Sequence, residues 1–192
     1  MCPENIMEKY IRAHPGSQTL HERAVKVFAA DGATHAGRIL DPFRPYVARA
    51  KGSRLWDVDG NEYIDYKMGG GSMLLGHSYP DVVRAVQEQI AKGALYHENH
   101  ELEIEWAELI KSMMSSAERV EFFASGQEAN IMAIRLARIF TGRRKVLRFE
   151  RNFFGWADEL APHDALGVLA DEVRVIPGND LNLLEEELAT KK

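Results

Sequence analysis

The chain has 192 residues, enough for one full domain with a core and short for two. Apolar residues make up 45% and charged residues 28%, the balance of an ordinary globular protein, and the net charge of −5 gives no global reason to bind nucleic acid or an anionic membrane. The single cysteine, Cys2, excludes an intrachain disulfide framework and a cysteine-rich zinc site. No apolar run approaches ~18–20 residues, and the acidic start (Glu4, Glu8) has no apolar signal core. The expectation is a cytoplasmic protein with no membrane span.

Taken in chain order, residues 3–40 read as polar helix, with Asn5–Ala13, a break at Pro15-Gly16, and a second stretch over Thr19–Phe28. Residues 43–66 read as short strands. Tyr46–Lys51 alternates, Gly52-Ser53 turns, Arg54–Asp57 returns, and Asp59-Gly60-Asn61 turns again before Glu62–Asp65. From about residue 78 helices and strands alternate. Ser78 is placed to cap a helix opening at Pro80-Asp81, which presents Val82, Val83, Ala85, Val86 and Ile90 and stops at Gly93.

A second helix is expected over Glu101–Met113, with Trp106, Leu109 and Ile110 as core. Strands follow at Arg119–Ala124, Lys145–Phe149 and Val173–Ile176, with helices between them and a last helix from Asp180. This alternation predicts an α/β layer with a largely parallel sheet.

Such sheets bind ligands at the C-terminal ends of their strands. There the run Glu121-Phe-Phe-Ala-Ser-Gly-Gln-Glu-Ala-Asn130 hands a strand over to the helical stretch Ile131–Phe140 through Ser125-Gly126. The first N–H groups of that helix have no partner within it, and the positive end of its dipole lies behind them, which outlines a phosphate site. A strand–Ser-Gly–helix join also serves as an ordinary cap, so the residues by themselves leave both readings open. Phe153 and Phe154, after the next strand, offer flat rings for stacking on a planar ligand or for packing a strand end.

Several motifs in one order resemble the class III pyridoxal-phosphate aminotransferases, nearest the glutamate-1-semialdehyde aminomutase-like branch. Leu55-Trp-Asp-Val-Asp-Gly-Asn-Glu-Tyr-Ile-Asp65 resembles the family's early hairpin. Leu75-Gly-His-Ser-Tyr-Pro80 resembles its Leu-Gly-His-x-x-Pro, and Phe123–Asn130 resembles its Asn-Ser-Gly-Thr/Ser-Glu-Ala-Asn element. Ile134–Arg138 with Thr141-Gly-Arg143 resembles the family's next stretch of chain, and Asn179-Asp180-Leu181 resembles its Asn-Asp before a helix.

The resemblance implies a fold type I large-domain portion, mostly parallel sheet flanked by helices. Residues 1–66 would form an N-terminal helical arm and hairpin, and 67–192 part of the pyridoxal-phosphate-binding domain. It implies pyridoxal 5'-phosphate as cofactor, a small-molecule amino donor or acceptor as substrate, and a homodimer in the complete protein.

By position, Ser125, Gly126 and Gln127 would hold the cofactor phosphate, and Glu128 would help organise the site. Phe153 stands where the family has the ring-stacking Tyr of Tyr-His-Gly, Phe154 stands at its His, and Gly155 keeps its Gly. Gln127 departs from the family's small hydroxyl residue, and Phe153 lacks the phenol. Lys67–Ser72 occupies a segment where branches differ, so it does not name the substrate.

The family's chemistry also needs a lysine amine and a carboxylate facing the pyridine nitrogen. After Lys145 the only lysines are Lys191 and Lys192, and nothing aligns them with the family's cofactor lysine. The expectation is that these 192 residues do not transaminate by themselves. The other reading is a non-catalytic remnant or interaction module that keeps the fold.

Other clusters point elsewhere. His97 and His100 are three apart, not the i, i+4 of a metalloprotease helix, so no metal site is expected. Arg135, Arg138, Arg143, Arg144 and Lys145 read as a solvated helix end, not a nucleic-acid surface. Gly69-Gly-Gly71 lacks the Lys-Ser/Thr of a phosphate loop, and His77 reads as a turn or interface residue.

Overall fold

A computed structural model describes residues 5–32, 40–161, 167 and 171–189. Cys2, Lys191, Lys192 and the part of the expected helical arm at 33–39 lie outside the described residues. The chain divides into two compact units, 1–98 and 99–192.

In the first unit, helix α1 (Ile6–Ala13) is capped by Asn5, whose side chain accepts from the Met7 N–H at 3.1 Å. Helix α2 (Pro15–Ala24) starts at once, four residues before the expected Thr19. Proline breaks α1 but suits the first position of the next helix, where its missing N–H costs nothing. The Asp59 carboxylate supplies the cap from the distant hairpin: it accepts from the Ser17 N–H and hydroxyl at 2.9 and 2.8 Å, and from the Gly16 N–H.

Strands β1 (Val47–Lys51), β2 (Arg54–Asp57) and β3 (Glu62–Ile64) form an antiparallel meander in the order β1-β2-β3. Lys51 pairs with Arg54 across the Gly52-Ser53 turn, and Gly60, at φ 87°, makes the second turn with a backbone that disfavours a Cβ. Phe43, Ala24, Ser17, His14 and Asp57 are buried at the join of the helices and the meander.

Helix α3 (Pro80–Ile90) follows. Ser78 does not cap it, correcting that expectation. The N-cap is Tyr79 without a side-chain bond, and the Ser78 hydroxyl donates instead to the Ala50 carbonyl at 3.0 Å. Ser78 sits at φ 53°, so its hydroxyl is turned back to the strand.

The second unit contains α4 (Glu101–Met113), α5 (Gly126–Thr141), β4 (Val146–Phe149), β5 (Val173–Ile176) and α6 (Leu181–Ala189). Strands β4 and β5 pair in parallel, Val146 with Val173 through Phe149 with Ile176. Leu160, Ala161, Ile176 and Arg148 are buried in this unit, and the Arg148 guanidinium donates to the Leu160 carbonyl at 2.8 Å.

Two expectations fail here. Arg119–Ala124 forms no strand: a strand exists by its ladder, and no neighbour pairs with this segment among the described residues. Trp106 and Leu109 are not core: they remain 56% and 57% exposed, although Trp106 stacks on Phe122 at 4.2 Å. The apolar face of α3 is likewise exposed at Val82, Val83, Val86 and Ile90. Periodicity shows which face of a helix is apolar, not whether a partner covers it.

Candidate functional site: the first turn of α5 and the 153–156 segment

Ser125 is the N-cap of α5, with extended backbone angles (φ −147°, ψ 156°). Its oxygen accepts from the Glu128 N–H at 3.3 Å, and its hydroxyl donates to the Glu128 carboxylate at 3.1 Å. This Ser-x-x-Glu spacing is a variant of the capping box. The Ser125 carbonyl takes the Ala129 N–H at 3.1 Å. Among the described residues, the N–H groups of Gly126 and Gln127 have no hydrogen-bond acceptor.

These two donors stand at the head of a 16-residue helix, where the dipole favours an anion by about 0.3–1 kcal/mol. A Cβ built on Gly126 meets nothing within 4 Å, so a ligand has room to approach the backbone. Donor chemistry, dipole and space fit a phosphate group. The Ser125 hydroxyl is engaged with Glu128, so an incoming phosphate competes with that carboxylate for it.

The aromatic segment is tied to this turn. The Gln127 Oε1 accepts from the Trp156 N–H at 2.5 Å, and the Asn130 Nδ2 donates to the Phe154 carbonyl at 3.0 Å. Gly155 is buried at φ 143°, and a Cβ there would lie 2.7 Å from the Gln127 Cγ. Phe153 is 57% exposed and meets Trp156 edge-on at 5.1 Å, leaving ring surface open. The structure therefore brings Ser125, Gly126, Gln127 and Glu128 into one helix start and fastens 154–156 beside it.

Sequence reasoning missed the Asn130 link. The available signal was spacing: Gln127 and Asn130 are three apart, on one face of α5, as two polar groups sharing a partner would be.

The remaining candidates have local roles. His100 caps α4: its Nδ1 accepts from the Leu102 N–H at 3.1 Å, and the Glu103 carboxylate reaches back to the His100 N–H. Arg138 donates to the Arg144 carbonyl at 2.8 Å and to Glu159 at 3.1 Å, and Arg144 pairs with Glu172 at 3.2 Å. Its own backbone N–H, first, and the Arg138 guanidinium hold the Glu159 carboxyl below its ordinary range.

In the other unit, the His77 Nε2 lies 2.7 Å from the Asp65 Oδ2, and Asp65 also accepts from the N–H groups of Lys67 and Met68. The bond to His77, first, and those two N–H groups lower the Asp65 carboxyl. This pair fixes the turn at Met68–Gly70 to the hairpin.

Comparison with known proteins gives the geometry its family. The Aminotransferase class-III profile matches residues 38–160. The chain is 39% identical over 188 residues to glutamate-1-semialdehyde 2,1-aminomutase of Thermodesulfovibrio yellowstonii, covering 90% of this chain and 44% of that one. An omega-transaminase from Sphaerobacter thermophilus superposes with a TM-score of 0.86 at 31% identity, over 94% of this chain and 46% of that one. A transaminase solved with PLP bound superposes with a TM-score of 0.82 at 28% identity, over 96% and 46%. The chain thus spans less than half the length of these relatives. Its mixed α/β architecture is the fold type I arrangement over that span. The chain belongs to the class-III aminotransferase family.

Proposed function

We propose that this chain is the phosphate-binding portion of a pyridoxal-phosphate-dependent aminotransferase or aminomutase that acts on a small amino acid or amino-aldehyde. One observation carries the reading: at the head of α5 the N–H groups of Gly126 and Gln127 have no acceptor among the described residues, and the space beside Gly126 is open. Pyridoxal phosphate, when bound, supplies the electron-withdrawing ring that lets an amino group be moved.

The chain's own residues supply the grip. Gly126 and Gln127 donate N–H groups to the phosphate, and Ser125 adds its hydroxyl once Glu128 yields it. Phe153 offers a ring face. Each bond to the charged phosphate contributes about 1.5–3 kcal/mol. Residues 1–66 act as an N-terminal arm and hairpin, and 67–192 as part of the cofactor domain. In the complete protein the assembly is a homodimer in the cytoplasm. The 192 residues alone do not transaminate, because the only lysines after Lys145 are Lys191 and Lys192, and neither aligns with the family's cofactor lysine.

Equilibrium dialysis of pyridoxal phosphate against the chain and its Gly126→Asp variant tests the site. The variant has room for its side chain and a favourable acidic residue at a helix start, so it folds, yet its carboxylate opposes the phosphate. Affinity should fall at least tenfold. Pyridoxal without phosphate should bind both chains equally weakly, and equal phosphate-ligand affinity for both chains refutes the reading.

A further inference from the structure

Gln127 stands where the family carries a small hydroxyl residue, and its side chain does not turn toward the open space above the helix. It folds onto the 153–156 segment. Its Oε1 accepts from the Trp156 N–H at 2.5 Å, and its Cγ, Cβ and Oε1 fill the space that a Cβ on Gly155 would need, at 2.7, 2.9 and 3.0 Å. Gly155 is buried at φ 143°, so the backbone passes flush against the glutamine only because no side chain intervenes. Asn130, one turn along the same face, fastens the Phe154 carbonyl at 3.0 Å. A serine or threonine at 127 is two atoms too short to reach Trp156 from the same Cα.

We propose that Gln127 is a positioning residue: its side chain forgoes the phosphate and instead locks the Phe153–Trp156 segment to the first turn of α5. The phosphate-binding N–H groups and the aromatic ring face are then set as one pre-ordered unit for a phosphorylated pyridine. This lock rests on the phosphate reading of the α5 N-terminus. Pre-ordering both ends of the site spares the ligand the cost of ordering the loop itself. The Gln127 N–H serves the phosphate while its side chain serves the ring, so one residue couples the two ends.

Two readouts separate the lock from the phosphate site. In the cofactor-free 192-residue chain, amide exchange at Trp156 should quicken at least tenfold in Gln127→Ala and stay near wild type in Gln127→Glu, whose carboxylate accepts the same N–H. With pyridoxal phosphate, Gln127→Glu should bind at least fivefold more weakly, through charge against phosphate, while its bound cofactor keeps the wild-type induced circular dichroism. Gln127→Ala at saturation should lose half or more of that signal, because the ring is no longer held. Asn130→Asp, which sets a carboxylate against the Phe154 carbonyl, should loosen the same segment by an independent route if the alanine variant folds poorly.

Unchanged Trp156 exchange in both Gln127→Ala and Asn130→Asp overturns the inference, whether or not the cofactor binds. Equal induced dichroism in Gln127→Ala and wild type overturns it as well. A wild-type chain that binds no pyridoxal phosphate but shows the exchange differences overturns the phosphate reading and supports the lock.

Discussion

Replacing Asp57 with alanine should destabilise the first unit by about 3–5 kcal/mol, the cost of losing the charge-assisted hydrogen bonds that its buried carboxylate accepts. The Asp57 side chain is fully buried and accepts four hydrogen bonds: the Tyr63 hydroxyl at 2.7 Å, the Asn61 Nδ2 at 2.9 Å, the Asn61 N–H at 2.8 Å and the Asp59 N–H at 3.0 Å. His14 lies behind Tyr63, its Nε2 2.6 Å from the phenol oxygen. Its Nδ1 is 2.6 Å from the Tyr10 carbonyl, which only accepts, so that nitrogen carries a proton. Removing the carboxylate takes away the acceptor of the Tyr63 hydroxyl and of one Asn61 Nδ2 hydrogen, while water can replace it at the two turn N–H groups.

Two lost charge-assisted bonds at about 1.5–3 kcal/mol each give a figure of the same size. It is a large share of the 5–15 kcal/mol that holds a typical domain folded. The assay is urea unfolding followed by Trp56 fluorescence, since Trp56 adjoins Asp57, with hydrogen exchange along the Leu55–Tyr63 pairing as a second measure. A shift below 1 kcal/mol in both would refute the view that this carboxylate organises the hairpin.

Burial raises the Asp57 carboxyl, but its hydrogen bonds from Asn61, Tyr63 and Asp59 outweigh that and leave it below its ordinary value. Asp59 is lowered in the same way by Ser17 and Gly16. Folded values below the unfolded ~3.9 mean the stabilisation is complete above that pH and is lost as pH falls through the depressed values. Acid titration of hairpin fluorescence should therefore show a transition below about pH 4 that is shallower in Asp57→Asn; coincident curves would contradict it. Tyr63→Phe should cost about 1–2 kcal/mol in the same urea assay, since it removes the hydroxyl between His14 and Asp57. Ser125→Ala should lower α5 stability by about 0.5–2 kcal/mol, measured by exchange of the Glu128 and Ala129 amides, because it removes the cap.

The parts of this fold legible in sequence are those written in neighbouring residues. Asp59-Gly60-Asn61 marks a turn whatever surrounds it, and Ser125-Gly-Gln-Glu128 announces a capped helix start. The segment 119–124 carries strand-forming residues, but a strand depends on a distant neighbour, and none pairs with it among the described residues. Ser78 precedes Pro80 as a cap should, yet its left-handed backbone sends the hydroxyl to Ala50. The bond between Gln127 and Trp156 joins residues 29 apart in sequence, and no local pattern encodes it. At Asp57 the hairpin motif is readable, and all four donors to its carboxylate lie within Asp59–Tyr63, but its burial is not readable, because it arises only when the helices and the meander meet.

The most direct test of the phosphate site is the 31P resonance of pyridoxal phosphate as the 192-residue chain is added. The paired N–H groups and the dipole of α5 favour the dianion, so the bound resonance should hold its dianion position to lower pH than the free cofactor, and Gly126→Asp should abolish the difference. A bound resonance that titrates with the free cofactor, or a shift that survives Gly126→Asp, would contradict the assignment of the α5 N-terminus as the phosphate cradle.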